Sequence, residues 1–425
     1  MQIIGIDIGT TSICGVAIDA QSGELLKSIT LNSNAFIKSD KPFEKIQSPQ
    51  KTISLALEIL DNLITDHTAA IGVTGQMHGI VYTDQIGNAV SPLYTWQDKR
   101  GDEAFGNTTY AKHLKSFAGY GCVTDFYNQQ NNLVPQNAVS FCTITDYLVM
   151  KLCSLNEPVM HSTNAASLGL YDIKKNRFTN GFTPQIATDY QIVGEYKNIP
   201  VSVAVGDNQA SVFSTLKNQG DLLINVGTGS QASIICDHII TGENLEVRPY
   251  FENKYLIVGA ALCGGRAYSM LKDFYKSILC KNGDIADDKI YKLMDEMLEK
   301  ASPTLLVDTR FAGTRKDPEI CGSINGITTE SFTPEALTKG VLCGMCNELY
   351  NMFLEMETPI NGIVGSGNGI RKNKYFIKLC EKKFKTEMKI PAHLEEAAVG
   401  AAMFGGISAK IYENSGKAQE IIKYR

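Results

Sequence analysis

A strand–turn–strand device that occurs twice, about half a chain apart, limits what this chain can fold into. The first copy runs Ile3-Ile4-Gly5-Ile6-Asp7-Ile8 into the turn Gly9-Thr10-Thr11-Ser12 and leaves through Ile13-Cys14-Gly15-Val16-Ala17-Ile18. The second runs Leu222-Leu223-Ile224-Asn225-Val226 into Gly227-Thr228-Gly229-Ser230 and leaves through Gln231-Ala232-Ser233-Ile234-Ile235. β-Branched runs favour strands, and Gly/Thr/Ser turns join them tightly. The recurrence predicts two similar domains, each opening with a hairpin whose turn faces phosphate.

Length agrees with that division. At 425 residues the chain exceeds the size of one hydrophobic core, so two domains of roughly 200 residues are expected, with a ligand cleft between them. The boundary falls near residues 207–221, giving an N-terminal domain 1–217 and a C-terminal domain 218–425. Between and after the hairpins, strands alternate with helices. Residues 53–64 carry a helical apolar repeat, 70–73 and 80–82 read as strands, 201–205 as a short strand, and 360–364 as a strand before a helix patterned by Phe376, Leu379 and Cys380. Glycines stand at the strand ends, the pattern of an α/β architecture that binds ligands at strand termini.

Composition narrows the function. The net charge of -5, with Lys and Arg scattered, supplies no basic footprint for nucleic acid, so a small-molecule substrate is expected. No secretory signal and no membrane-length apolar run are visible. Eleven cysteines at irregular spacings suit reduced thiols in the cytoplasm rather than a disulfide framework. Cys343 and Cys346 lie in a helical pattern and read as packed thiols. The oligomeric state, a homodimer included, is left open.

Five segments can carry chemistry. Asp7 before Thr10, Thr11 and Ser12 suits phosphate oxygens and a nucleotide-borne Mg²⁺, which prefers oxygen ligands and keeps several waters. Gly227, Thr228 and Gly229 repeat the turn, without the Gly-Lys-Ser/Thr of a Walker A loop. Asp207, after an apolar strand in Gly206-Asp207-Asn208-Gln209, stands where a base for an alcohol acceptor belongs, although the motif in isolation favours a helix N-cap. Gly75-Gln76-Met77-His78-Gly79 with Thr95-Trp96-Gln97-Asp98-Lys99-Arg100 offers planar polar groups and an aromatic face for a sugar. The plainer alternatives are a core role for His78, packing for Trp96 and a surface ion pair for Asp98 and Arg100. Gly365-Ser366-Gly367-Asn368-Gly369, between a strand and a helix, could make room for adenine or ribose.

Taken together and in this order, the segments resemble the FGGY family of carbohydrate kinases, within the actin-like ATPase superfamily. The resemblance runs from Gly5-Ile6-Asp7-Ile8-Gly9-Thr10 to Glu396-Ala397-Ala398-Val399-Gly400-Ala401-Ala402. It implies an α/β fold of two similar actin-like (ribonuclease H-like) ATPase domains around an interdomain cleft, with ATP and Mg²⁺ as cofactors. Position by position, it implies Asp7 at the metal and Asp207 as catalytic base. It places Gln76, Met77, His78, Trp96, Asp98, Arg100 and Asn208 at the sugar. Thr10, Thr11, Ser12, Gly227, Thr228, Gly229, Gly265, Gly365, Ser366, Gly367 and Asn368 fall at the nucleotide. Gly313-Thr314-Arg315 and Cys321-Gly322 are similar to the family's glycine-bearing segment.

Gln76-Met77-His78 is similar to the ketose branch of the family. Thr95-Trp96-Gln97-Asp98, Asn164-Ala165-Ala166-Ser167-Leu168-Gly169 and Val364-Gly365-Ser366-Gly367 set sedoheptulose as the first expected substrate and xylulose as the second. The chain is shorter than is typical of the family, and Ser162-Thr163-Asn164 stands where many members carry an acid. Two other classes share the phosphate turns: a filament- or chaperone-like ATPase and a silent sugar sensor. The sugar-type residues count against the first, and Asp7 with Asp207 against the second.

Overall fold

The computed structural model describes residues 1–182, 184–279, 285–300, 304–317 and 319–425. They divide into two compact units. The first comprises residues 1–217, 248–254 and 393–423, the second residues 218–247, 255–392 and 424–425. The expected second domain, 218–425, is therefore not continuous: two of its segments pack with the first unit.

In the first unit, β1 (Gln2–Ile8) and β2 (Ser12–Asp19) form the expected antiparallel hairpin, with Asp7 opposite Cys14. The strand β3 (Leu25–Asn32) extends the sheet beyond β2. The helix α1 (Pro49–Leu63) starts where the Ser48 side chain accepts the Lys51 N–H and proline occupies the first turn, and it buries Ile53, Ala56, Ile59, Leu60 and Leu63. The strand β4 (Thr68–Gly75) lies parallel to β1. The strand expected over residues 201–205 is instead two short ones, β5 (Ile199–Ser202) and β6 (Val205–Gly206), both parallel to β4. The helix α2 (Asp207–Thr215) follows at once. Ile4, Ile6 and Ile8 are fully buried, each contributing about 1.5–3 kcal/mol.

The second unit repeats the plan. The strands β7 (Asp221–Val226), β8 (Ser230–Cys236) and β9 (Tyr255–Ala261) are antiparallel neighbours. After α3 (Gly264–Leu279) and α4 (Pro334–Glu355) come β10 (Gly362–Ser366), parallel to β7, and β11 (Met388–Lys389), parallel to β10. The strand order β9-β8-β7-β10-β11 corresponds to β3-β2-β1-β4-β5. Cys343 and Cys346 lie on α4, with Cys346 buried.

The helix α5 (Glu396–Ser408), rich in alanine and glycine, packs on β1, β4 and α2 of the first unit. Backbone meets backbone there. A Cβ on Gly5 would lie 1.8 Å from the Ala398 carbonyl oxygen, and one on Gly72 would lie 1.8 Å from that of Ala401. Small residues on both faces let α5 settle this close, so Glu395, just before it, acts on Asp7 of β1. Among the described residues no helix is long and apolar enough to cross a membrane.

Candidate active site

Three parallel strands of the first unit end side by side. Asp7 is in register with Thr74, Ile8 with Gly75, and Gly75 in turn with Gly206. The carboxyl ends of β1, β4 and β6 thus deliver Asp7, Gln76 and Asp207 to one sheet edge, where open α/β sheets bind ligands. The Thr74 hydroxyl donates to the Val205 carbonyl at 2.8 Å, and the Gln76 N–H donates to the Ile8 carbonyl at 2.7 Å, locking the strand ends together. Gly75 has φ +154°, and a Cβ there would lie 2.5 Å from the Ile8 oxygen, so only glycine fits between the strands.

Asp207 is the first residue inside α2. The N-cap is Gly206, and no side chain caps the helix, so the capping role open to Asp207 in the sequence is not the one it has. Burial raises its pKa to about 6, opposed by the Asn208 N–H and the Arg248 guanidinium. Arg248 donates to Asn208 Oδ1 at 3.1 Å. Burial also raises Asp7, to about 7, with the carboxylates of Asp207 and Glu395 adding to it. Like charges gathered away from water disfavour ionisation, and a cation would relieve them. Asp7 therefore fits a nucleotide-borne Mg²⁺, which takes one or two carboxylates and keeps its waters. No group of three His, Cys, Asp or Glu that could hold a metal by itself occurs among the described residues.

The first turn and the expected sugar segment are joined. The Thr10 hydroxyl donates to Gln76 Oε1 at 3.2 Å and accepts the Trp96 indole N–H at 2.9 Å. Gln47 closes the circuit, donating to the Thr10 carbonyl at 2.7 Å and accepting from Gln76 Nε2 at 3.1 Å. Gln76 and Gln47 are buried, whereas Trp96 is 46% exposed, so its ring is available to a ligand. Thr11 is exposed, and Ser12 opens β2.

His78 sits at φ +73°. Its Nδ1 is 2.7 Å from the Ser167 carbonyl, which places the proton on that nitrogen, and its ring stacks on Tyr120 with centroids 4.4 Å apart. The buried Met77 lies against Gly206: a Cβ there would meet its side chain at 2.7 Å.

Asp98 and Arg100 differ from expectation. They form a buried pair, not a surface one, with Arg100 only 1% exposed. Asp98 Oδ1 accepts Arg100 Nε at 2.7 Å, and its Oδ2 accepts the Lys45 N–H at 3.0 Å. Arg100 also donates to Asn128 at 2.6 Å and stacks 4.2 Å from the Tyr94 ring. Neither side chain faces solvent, and together they hold the 95–100 segment in place.

In the second unit, the β7–β8 turn, the start of α3 and the end of β10 converge. The Gly265 N–H donates to the Gly227 carbonyl at 3.0 Å, and the Arg266 N–H to that of Thr228 at 2.9 Å. A Cβ on Gly265 would meet the Gly227 oxygen at 2.3 Å, while one on Gly227 would meet nothing within 4 Å. Gly227 and Thr228 are exposed, and a phosphate can approach their backbone. Gly367, at φ +82°, turns against Val226, leaving Asn368 exposed. Ser366 and Gly365 are internal. Ser366 Oγ accepts Asn225 Nδ2 at 2.5 Å, and Gly365 leaves room for Met388 and Ile370 rather than for an adenine ring.

Glu395, Arg248, Gln47 and Tyr120 escape sequence reasoning. Each is an isolated residue with no motif around it, brought to the site only by packing. The sole sequence signal near any of them is the small-residue run that follows Glu395.

Residues 2–186 match the N-terminal domain of the FGGY family of carbohydrate kinases, and residues 222–409 its C-terminal domain. The chain is 26% identical to "Sedoheptulokinase" of Mus musculus over 94% of its length and 96% of that protein's. It is 20% identical to "Gluconokinase" of Bacillus subtilis, covering 95% and 86%. The solved gluconate kinase from Lactobacillus acidophilus, 16% identical, superposes with a TM-score of 0.85 over 100% of this chain and 92% of that one, so the fold is shared.

Proposed function

Since the chain belongs to the FGGY family of carbohydrate kinases and is itself a sugar kinase, we propose that it phosphorylates a ketose, sedoheptulose before xylulose, with Asp207 as general base. The observation that carries this reading is the delivery of Asp207 and Gln76 by adjacent parallel strands in register at Gly75 and Gly206. Full-length similarity to sedoheptulokinases favours the seven-carbon sugar.

In this reading Trp96 covers the C–H face of the sugar, and Gln76 and His78 bond its hydroxyls. Asp207 accepts the proton of the acceptor hydroxyl as that oxygen attacks the terminal phosphoryl of ATP and ADP leaves. Asn208, tied to Arg248, keeps the start of α2 in place. Asp7 would hold Mg²⁺, which neutralises charge on the phosphates. The backbone at Thr10, Thr11 and Ser12 and at Gly227, Thr228 and Gly229, with Gly265, Gly367 and Asn368, is assigned to ATP.

The test is sugar-dependent ADP release with sedoheptulose, xylulose, ribulose, gluconate and glycerol, for the native chain and Asp207→Asn. A ketose should give the highest kcat/KM. The variant should lose about 10²-fold or more in kcat with sugar and ATP affinities little changed. A preference for gluconate or glycerol would overturn the substrate, and near-normal turnover by a folded variant would overturn the base.

A further inference from the structure

We infer that Thr163 is a positioning residue for Asp207, held in place by His161 and Asp189. The inference rests on the reading of Asp207 as base. Ser162-Thr163-Asn164 is the segment expected from the sequence to differ from the family's acid-bearing pattern, and its central residue has a specific contact. The Gly206 N–H donates to Thr163 Oγ1 at 3.0 Å, and Gly206 is the residue from which Asp207 hangs.

The donors and acceptors behind this bond fit only one arrangement. The Thr163 N–H donates to His161 Nδ1 at 3.2 Å, so that nitrogen is an acceptor. The Thr163 hydroxyl, 2.9 Å away, donates to it as well. The ring proton is then on Nε2, which donates to Asp189 Oδ1 at 2.8 Å, and Asp189 Oδ2 accepts the Glu252 N–H at 2.6 Å. Thr163 and His161 are fully buried, and the imidazole meets the rings of Phe251 and Phe404, themselves packed together, in edge contacts with centroids 5.8 and 5.7 Å away.

Gly206 needs such a tether. It is the N-cap of α2 but has no side chain, and its extended backbone, φ −65° and ψ 143°, is one that glycine leaves easily. The Thr163 hydroxyl holds the N–H end of the Val205–Gly206 peptide, whose carbonyl end is held by Thr74, and so fixes the base from which the Gly206–Asp207 linkage sets the carboxylate. Displacement of a catalytic group by about 1 Å can cost on the order of 10²-fold in rate without weakening binding.

The test is a double-mutant cycle in the full chain. Thr163→Val, which keeps shape and removes the hydroxyl, should lower kcat about 10-fold or more, with sugar and ATP KM within about 2-fold. Thr163→Ser should restore most of the rate. In the Asp207→Asn background, Thr163→Val should cost almost nothing further, because the group it aims is gone. Should Thr163→Val fail to accumulate, His161→Asn keeps an acceptor near Thr163 and cuts the tie to Asp189, and it should show the same kcat loss at unchanged KM. Native kcat in folded Thr163→Val, or an equal loss with and without Asp207, would overturn the inference. Failure of the base reading looks different: Asp207→Asn alone would then turn over normally.

Discussion

Trp96 donates its indole N–H to the hydroxyl of Thr10 at 2.9 Å, so one hydrogen bond joins a residue expected at the sugar to one expected at phosphate. Trp96 is the sole tryptophan of the chain. Its emission should therefore change on titration with the substrate ketose in the absence of nucleotide. Trp96→Phe, which keeps the ring and loses the donor, should raise sugar KM up to about 10-fold with a smaller effect on kcat. Emission that does not move at saturating sugar would remove Trp96 from the site.

The pH dependence follows from the raised carboxylates. Asp207 must be ionised to take a proton, and its pKa lies near 6, with Asp7 near 7 beside it. Activity is lost as pH falls through these values and gained above them. The kcat/KM for sugar should show an acid limb between about pH 6 and 7 belonging to the pair. A profile flat down to pH 5 would contradict the assignment.

Asp7 should cost the fold stability. Its pKa in the folded chain, about 7, exceeds the ordinary 3.8, so between those values the folded state binds a proton that the unfolded state does not. This group's contribution is most favourable below pH 3.8 and is lost as pH rises to 7. At pH 8, Asp7→Asn should raise Tm by about 2 °C or more while losing Mg²⁺-dependent turnover. A lower Tm at pH 8 would mean that the carboxylate is satisfied in the fold.

Arg100 separates scaffold from ligand contact. With its guanidinium buried and shared between Asp98 and Asn128, Arg100→Ala leaves a buried carboxylate unpaired and should destabilise by about 3–5 kcal/mol. Arg100→Lys should fall short too, because an ammonium cannot reproduce the fork. Thermal unfolding with kinetics on the folded fraction decides the matter: unchanged stability with a raised sugar KM would return Arg100 to the binding site.

The two hairpins, the alternation of strands and helices and the residue types at the strand ends could be read along the chain, because these depend on local propensity and turn chemistry. Asp7, Gln76 and Asp207 were legible for that reason: each stands at the carboxyl end of a strand, Asp7 as the last residue but one of β1 and the other two just after β4 and β6, and the strand carries it to the edge. Tertiary structure alone decided which strands lie side by side, and so that these three meet. It also decided that α5 closes over β1 and not over the unit that precedes it in sequence, a choice made by backbone contact at Gly5, Gly72 and Gly400. Burial decided the rest. Asp98 and Arg100 read alike as sugar ligands or as a surface pair until packing removed them from water, and Thr163 and His161 gain a task only because folding brings Gly206 within 3.0 Å of a hydroxyl. Long-range packing leaves no periodic trace in a sequence, so residues that act through it are seen only in the fold.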